Sequence, residues 1–229
     1  MLIWVLSASL IGGAALAAPL TDTERSQLVQ RIQQGDSNSM LEGGKSGDLT
    51  LIPALEGFLQ ARSNAVTESI TQMTQAVNTE EERRRVIPPR EALMYNEYDT
   101  AAENARMALA KLGVSRYLDE IMTELKTPTS STLFRVKYST LSPRAYGYRV
   151  QVGALKKLAY VKNPSTVKDI AEFLRYAKSP NTTEPSDEVR PPLAVFAAGT
   201  LRSIVDNPPP TNDPSVWQQW WEQNKDKYP

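Results

Sequence analysis

ALAKL at residues 108–112 returns as ALKKL at residues 154–158, after an interval of 46 residues. The same interval separates two sets of apolar residues: Leu109, Leu155 and Leu201, and Leu112, Leu158 and Ile204. In each stretch apolar residues recur three and four positions apart, which is the spacing of an amphipathic α-helix. A helical pattern repeated at one interval indicates similar units, each of which buries its apolar face against its neighbours.

A second helical pattern follows the first in each unit. It appears in LTLIPALEGFL (49–59), RYLDEIMTEL (116–125) and STVKDIAEFL (165–174). Each stretch has apolar residues at positions i, i+3 and i+7: Ile52, Leu55 and Leu59; Leu118, Ile121 and Leu125; Val167, Ile170 and Leu174. We interpret these stretches as the second helices of helical hairpins. TDTERSQLVQRIQQ (21–34) and NAVTESITQMTQAV (64–77) also have helical spacing, and no segment shows the sustained alternation typical of a strand.

Residues typical of helix ends flank these patterns. Thr21 begins a capping-box pattern, and Asn163 stands immediately before a proline, as an N-cap residue often does. Thr50 is expected to cap the helix that has Pro53 in its first turn. Gly113 suits the end of the helix before it. These signals set the expected helix boundaries.

The C-terminal stretch PSVWQQWWEQNKDKYP (214–229) contains three of the four tryptophans of the chain. Asp213 and the proline after it predict a helix start. Trp217, Trp220 and Trp221 then lie at i, i+3 and i+4 on one face, with polar residues mainly on the others. A repeat array needs a terminal element to cover its last apolar face, so we interpret the tryptophans as a structural cap. The alternative is an exposed platform for stacking a sugar or a base.

The composition restricts the chemistry of the protein. The chain contains neither histidine nor cysteine, which excludes Ser-His-Asp and Cys-His catalysis, the usual histidine-based zinc and iron sites, and disulfides. It has 26 basic and 26 acidic residues, so the basic excess typical of a nucleic-acid-binding protein is absent. We therefore predict no catalytic residues, no cofactor, no metal ligands and no nucleic-acid partner.

The N-terminal stretch MLIWVLSASLIGGAALAA (1–18) has no charged residue and ends in a small-residue cleavage pattern. It predicts a secretory signal peptide over residues 1–17 and a mature chain over 18–229 that has no stable membrane insertion. The expected location is periplasmic or extracellular. An uncleaved N-terminal membrane anchor is the alternative, although a spanning helix normally needs about 20 apolar residues.

With these elements in place, the chain resembles the HEAT-repeat family. The matching stretches are KSGDLTLIPALEGFL (45–59), AAENARMALAKLGVSRYLDEIMTEL (101–125), VQVGALKKLAYVKNPSTVKDIAEFL (150–174) and AVFAAGTLRSIV (194–205). The resemblance implies an all-α fold, an α-solenoid of about four helical hairpins over residues 18–229. Residues 212–229 would form its Trp-rich capping helix.

The expected function is that of an exported binding module or scaffold that presents an extended surface to a protein or peptide. Repeat proteins commonly use the surface lined by their second helices. Aligning the second and third of these helices places Glu120 over Asp169 and Thr123 over Glu172, with Lys126 and Arg175 at the flank. The candidate partner-binding residues are therefore Glu120, Thr123, Lys126, Asp169, Glu172 and Arg175. The alternatives are a HEAT-like enzyme or carrier, glycosylase-like or lyase-like, acting on a small ligand, and a purely structural accessory subunit.

Overall fold

A computed structural model describes residues 19–75, 100–126, 143–176 and 193–228. The regular secondary structure of these parts consists of helices alone, as predicted. Their α-helices are α1 (Asp22–Gln33), α2 (Ser37–Ser46), α3 (Ile52–Gln75), α4 (Thr100–Lys111), α5 (Ser115–Lys126), α6 (Pro143–Val161), α7 (Val167–Tyr176), α8 (Leu193–Ile204) and α9 (Pro214–Asn224). Short 3₁₀ turns at Leu49–Leu51, Pro164–Thr166 and Lys225–Lys227 adjoin α3, α7 and α9. The predicted signal peptide lies outside the described residues.

The helices pack in two alternating series along the chain. In the first series α2 contacts α4, α4 contacts α6, and α6 contacts α8. Helices α3, α5 and α7 each pack against the next helix of that series, which is α4, α6 or α8, respectively. One hydrophobic core runs through all of these contacts from Leu28 to Trp217. Each helix therefore buries its apolar face mainly against neighbours that are close in chain order.

The 46-residue interval reappears as equivalent buried positions. Leu109 on α4, Leu155 on α6 and Leu201 on α8 are each completely buried. Of the residues three positions later, Leu112, just after α4, and Leu158 on α6 are buried, and Ile204 on α8 is partly buried. The sequence repeat is therefore a repeat of core positions in successive helices of the first series.

The second apolar pattern also lies in the core. Its most buried members are Leu55, Ile121, Leu125, Val167, Ile170 and Leu174, while Ile52, Leu59 and Leu118 are partly buried against them. Helix α3 is longer than the pattern required. It joins LTLIPALEGFL to most of NAVTESITQMTQAV in one continuous helix, because no proline interrupts the chain between Pro53 and Gln75.

Most of the predicted helix ends are correct, and one is wrong. Thr21 forms the capping box with Glu24, Asn163 caps the 3₁₀ turn before α7, and Gly113 has a left-handed φ of 90° after α4. Thr50 is not the cap residue of α3. Asp48 instead caps the 3₁₀ turn that leads into α3, because its carboxylate accepts hydrogen bonds from the Thr50 amide at 3.0 Å and from the Thr50 hydroxyl at 2.6 Å.

Glycine allows the closest approach between α2 and α4. A methyl group placed on Gly44 would lie 2.8 Å from the Ala108 Cα and 2.5 Å from the Tyr160 hydroxyl. That hydroxyl donates a 2.7 Å hydrogen bond to the carbonyl of Leu41, so α6 is tied to α2 at the same point. The three helices meet where a side chain on residue 44 would not fit.

The C-terminal helix α9 packs against α7 and α8. Asp213 caps it and Pro214 is its first residue, as predicted. Trp217 is 1% exposed, and its indole Nε1 donates a 2.7 Å hydrogen bond to the Thr211 carbonyl. Trp220 and Trp221 are only partly buried against the core. The three tryptophans therefore share a helix face but differ in burial.

Candidate functional site

The predicted partner-binding residues lie on α5 and α7. Glu120, Thr123 and Lys126 are exposed on α5, and Glu172 and Arg175 are exposed on α7. The Thr123 hydroxyl donates to the Asp119 carbonyl of its own helix at 2.8 Å. Asp169, the sixth residue, is half-buried on α7 and contacts α5.

An ion pair joins the two helices. Lys126 Nζ lies 2.7 Å from Asp169 Oδ1. The sequence alignment paired Lys126 with Arg175 along the flank, whereas in the structure the lysine reaches the carboxylate near the start of α7. Attraction between opposite charges within reach of a long, flexible lysine side chain accounts for this contact.

A second ion pair extends the surface to α3. Arg116 Nη2 on α5 lies 2.7 Å from Glu56 Oε1 on α3, and it also donates to the Tyr117 hydroxyl at 2.8 Å. We call the surface formed by these residues of α3, α5 and α7 the charged ridge. It comprises Glu56, Arg116, Glu120, Thr123, Lys126, Asp169, Glu172 and Arg175.

Next to the ridge, α4, α5 and α6 enclose a shallow depression that is open to solvent. The space that a water molecule can occupy in it is about 10 Å³, which is room for about one water. The lining residues are Glu103, Arg106, Met107, Tyr117, Glu120, Ile121, Glu124 and Lys157. Glu120 thus belongs both to the ridge and to the depression.

Lys157 is the centre of the charges in the depression. Its side chain is 15% exposed, and its Nζ lies 2.6 Å from Glu124 Oε2 and forms a second salt bridge with Glu103 Oε1. The lysine of α6 therefore cross-links α4 and α5. Arg106 Nε lies 3.9 Å from Glu120 Oε2, which is an ionic contact too long for a hydrogen bond.

Sequence reasoning missed Lys157 and its partners. ALKKL was interpreted only through its leucines, although its second lysine stands between two core residues of the same turn, Leu155 and Leu158. Lys156 stands between the same two leucines and is exposed, so the local sequence does not distinguish the two lysines. It also does not identify the partner carboxylates on α4 and α5.

Burial sets the electrostatics of the depression. It raises the pKa of Glu124 and of Glu120, although the nearby cations Lys157 and Arg106 act in the opposite direction. Burial by itself would lower the pKa of Lys157, but the charges of Glu124 and Glu103 outweigh it and the pKa is raised. The protonated forms of Glu120, Glu124 and Lys157 are therefore favoured over their usual balance.

We predict that replacing Glu120 with glutamine changes how stability depends on pH. The raised pKa means that the folded protein holds the Glu120 proton more tightly than the unfolded chain does. The wild-type protein thus loses stability as the pH rises through that pKa, while Glu120→Gln cannot. The free energy of unfolding of the variant, relative to wild type, should increase as the pH rises from the ordinary glutamate value of 4.5 through the raised pKa, as measured by chemical denaturation.

Glu222→Gln is the matched control with the opposite sign. A hydrogen bond from Lys225 lowers the pKa of Glu222, so its contribution to stability is present at neutral pH and lost as the pH falls. The relative stability of this variant should decrease as the pH rises through the lowered pKa to the ordinary glutamate value of 4.5, and stay constant above it. Equal slopes for the two variants would contradict the assignment of the Glu120 shift to burial.

Within the described parts of the chain, no group of three or more His, Cys, Asp or Glu residues is arranged to hold a metal ion. Among the same residues, none of the helices has the length and apolar character required to cross a membrane.

The chain was also compared with known proteins. No family model, no curated protein and no solved structure matches it.

Proposed function

We propose that the protein is an exported α-solenoid of the HEAT type, over residues 18–229, that binds a protein or peptide partner through the charged ridge. The observation that carries this proposal is the pair of ionic contacts across the ridge. Glu56–Arg116 joins α3 to α5, and Lys126–Asp169 joins α5 to α7. Two ion pairs thereby join three helices that are far apart in the sequence.

The repeat supports the solenoid part of the proposal. The completely buried residues Leu109, Leu155 and Leu201 recur at one interval on helices that contact one another in succession. Stacking of equivalent units produces an extended surface, which is what repeat proteins use to bind other macromolecules. A neutral chain with interspersed charges of both signs favours a protein surface over a nucleic acid.

The proposed export rests on the uncharged N-terminal stretch MLIWVLSASLIGGAALAA (1–18). N-terminal sequencing of the protein recovered outside the cytoplasm should begin at or near Ala18. Recovery of material that retains Met1 in a membrane fraction would favour an anchor instead.

We predict that a photo-crosslinking residue placed on the ridge captures a discrete partner. Thr123 and Glu172 are suitable positions because both side chains are exposed on the ridge. Material from the exported fraction of the source should yield one saturable crosslinked protein from either position, identified by mass spectrometry. Lys156 on α6 and Gln218 on α9, which are exposed outside the ridge, are the matched control positions.

The control positions decide the interpretation. Crosslinks of equal yield from all four positions would indicate nonspecific contact, and no crosslink from either ridge position would refute the proposed surface. A Lys126→Glu change, which places two carboxylates against each other at Asp169, should reduce the ridge crosslinks without unfolding the protein. Circular dichroism of the variant provides the check on folding.

A further inference from the structure

We propose that the carboxyl ends of α2, α4 and α6 form a second interaction surface, which binds an extended acidic segment of another protein. Three lysines define this surface: Lys45 in the last turn of α2, Lys111 at the end of α4 and Lys162 directly after α6. We call it the basic edge. It shares no residue with the charged ridge, so the inference goes beyond the proposed function and does not depend on it.

Packing brings the three lysines together. Lys111 Nζ donates hydrogen bonds to the carbonyls of Tyr160 and Val161 at 3.1 Å and 3.3 Å, so the end of α4 lies against the end of α6. The close contact of α2 with α4 brings in Lys45. The positive charges of Lys162 and Lys45 both reach Lys111. Three helices that are separate in the sequence therefore contribute one positive charge each to the same edge.

No carboxylate of the described segments pairs with these lysines, since none of the three forms an ion pair there. The two carboxylates nearest to Lys45 in the sequence are paired with arginines instead. Glu42 Oε2 lies 3.1 Å from Arg31 Nη2, and Asp48 Oδ2 lies 2.7 Å from Arg25 Nε. The basic edge is therefore free to pair with carboxylates of another molecule.

The charge of the basic edge exceeds what the helix ends offset. The carboxyl end of a helix carries roughly half of an elementary negative charge, so three such ends offset about half of the charge of three lysines. Burial lowers the pKa of Lys111, and repulsion from Lys162 and Lys45 lowers it further. A bound anion would relieve this repulsion.

The backbone at Lys162 is an independent reason to assign a role to its side chain. Its φ of 56° lies in the left-handed region, which glycine adopts freely and other residues rarely adopt. The residues that follow α2 and α4 in this conformation are glycines, Gly47 and Gly113. Lysine thus occupies a position at which glycine would favour folding. Its exposed ammonium group, and not the backbone, accounts for lysine at this position.

The spacing of the basic edge fits an extended peptide. Packed helices lie about 8–10 Å apart, and an extended chain advances about 3.3 Å per residue. Carboxylates three residues apart therefore match lysines on successive helices. A membrane surface is the less suitable partner, because clusters that recognise anionic lipids typically contain about four to eight basic residues.

The test is an NMR titration of the protein, at low salt, with the acetylated and amidated peptide DSSDSSD. We expect saturable shifts of the amide resonances of Lys111, Gly113 and Lys162, with a dissociation constant of about 1 mM. The matched peptide SSDDDSS has the same composition and charge, but its carboxylates are adjacent. It should bind at least about threefold more weakly, because it cannot reach all three lysines at once.

Three variants locate the binding. Lys162→Gly and Lys45→Gln should each weaken the binding of DSSDSSD about threefold, because each removes one exposed ion pair. Lys162→Gly should do so without lowering the melting temperature, since glycine suits the left-handed backbone. Lys227→Gln is the matched control, because Lys227 is exposed at the C-terminal end of the chain and donates only to Asn224. Its affinity for the peptide should equal that of wild type.

Four results would overturn the inference. They are equal binding of the two peptides, the absence of saturable shifts at the basic edge, an unchanged affinity of both Lys162→Gly and Lys45→Gln, and an equal loss of affinity in Lys227→Gln. Vesicles of phosphatidylglycerol provide the comparison with a membrane. If they shift the same resonances and DSSDSSD does not, the basic edge binds a lipid surface and the inference is wrong.

Discussion

Replacing Trp217 with alanine is expected to lower the free energy of unfolding by roughly 3–5 kcal/mol. The side chain is completely buried where α9 packs against α7 and α8, so its removal leaves a cavity there. The change also removes the indole N–H, which donates a 2.7 Å hydrogen bond to the Thr211 carbonyl. A loss of this size is a large share of the roughly 5–15 kcal/mol that stabilises a typical domain. Chemical denaturation, followed by circular dichroism, measures it.

Two positions on the same helix are controls for Trp217→Ala. Trp221 is only partly buried, so Trp221→Ala should cost less, and Gln218→Ala, at an exposed position, should change the stability within about 0.5 kcal/mol. Emission of the intact protein should include a blue-shifted component from Trp217. If Trp217→Ala kept its melting temperature and instead lost affinity for a ligand, the tryptophans would form a stacking platform and the cap would be wrong.

A change of Gly44 to alanine should destabilise the protein by about 1–3 kcal/mol. The new methyl group would lie 2.8 Å from the Cα of Ala108, which is backbone, and 2.5 Å from the Tyr160 hydroxyl. Helix α2 must then move away from α4, and the 2.7 Å hydrogen bond from Tyr160 to the Leu41 carbonyl lengthens or breaks. Denaturant midpoints at constant m-value report the change in stability.

Gly57→Ala is the matched control for Gly44→Ala. Gly57 is an exposed helical glycine on α3, and a methyl group there would meet nothing within 4 Å. Alanine at this position should stabilise the protein by up to about 1 kcal/mol, because it favours the helix over the unfolded chain. The same substitution is thus expected to have opposite signs at two glycines. Stabilisation by both would show that α2 and α4 do not require the close contact at residue 44.

Local patterns predicted the helices well. The apolar spacing of ALAKL and ALKKL predicted the buried faces of α4 and α6, and the three leucines at one interval are completely buried. Thr21, Asn163 and Asp213 cap helical segments as their sequence contexts indicated. These features depend on residues a few positions apart. Thr50 shows the limit of such reasoning, because Asp48 two residues earlier is the stronger acceptor and extends the helix start with a 3₁₀ turn.

Charged contacts across the fold could not be predicted in this way. The sequence alignment placed Glu120, Lys126, Asp169 and Arg175 on one surface, but it did not predict that Lys126 pairs with Asp169. Lys157 was missed, since its partner Glu124 is 33 residues away on another helix. A long charged side chain can reach several neighbours, and the carboxylate with which it pairs depends on how the helices pack.

The sequence by itself determined the helical character of the described segments, their core faces and most of their caps, because these depend on spacing within a few turns. Only the tertiary structure decided which of the three tryptophans is enclosed, why residue 44 has no room for a side chain, and where Lys157 finds its carboxylates. Trp217 and Trp220 have the same local pattern, and only the position of α7 and α8 distinguishes them. Likewise, Gly44 is restricted by Tyr160, which lies over a hundred residues away in the chain. The physical reason is that burial and close contact depend on how separate helices approach one another, and no local pattern records that distance.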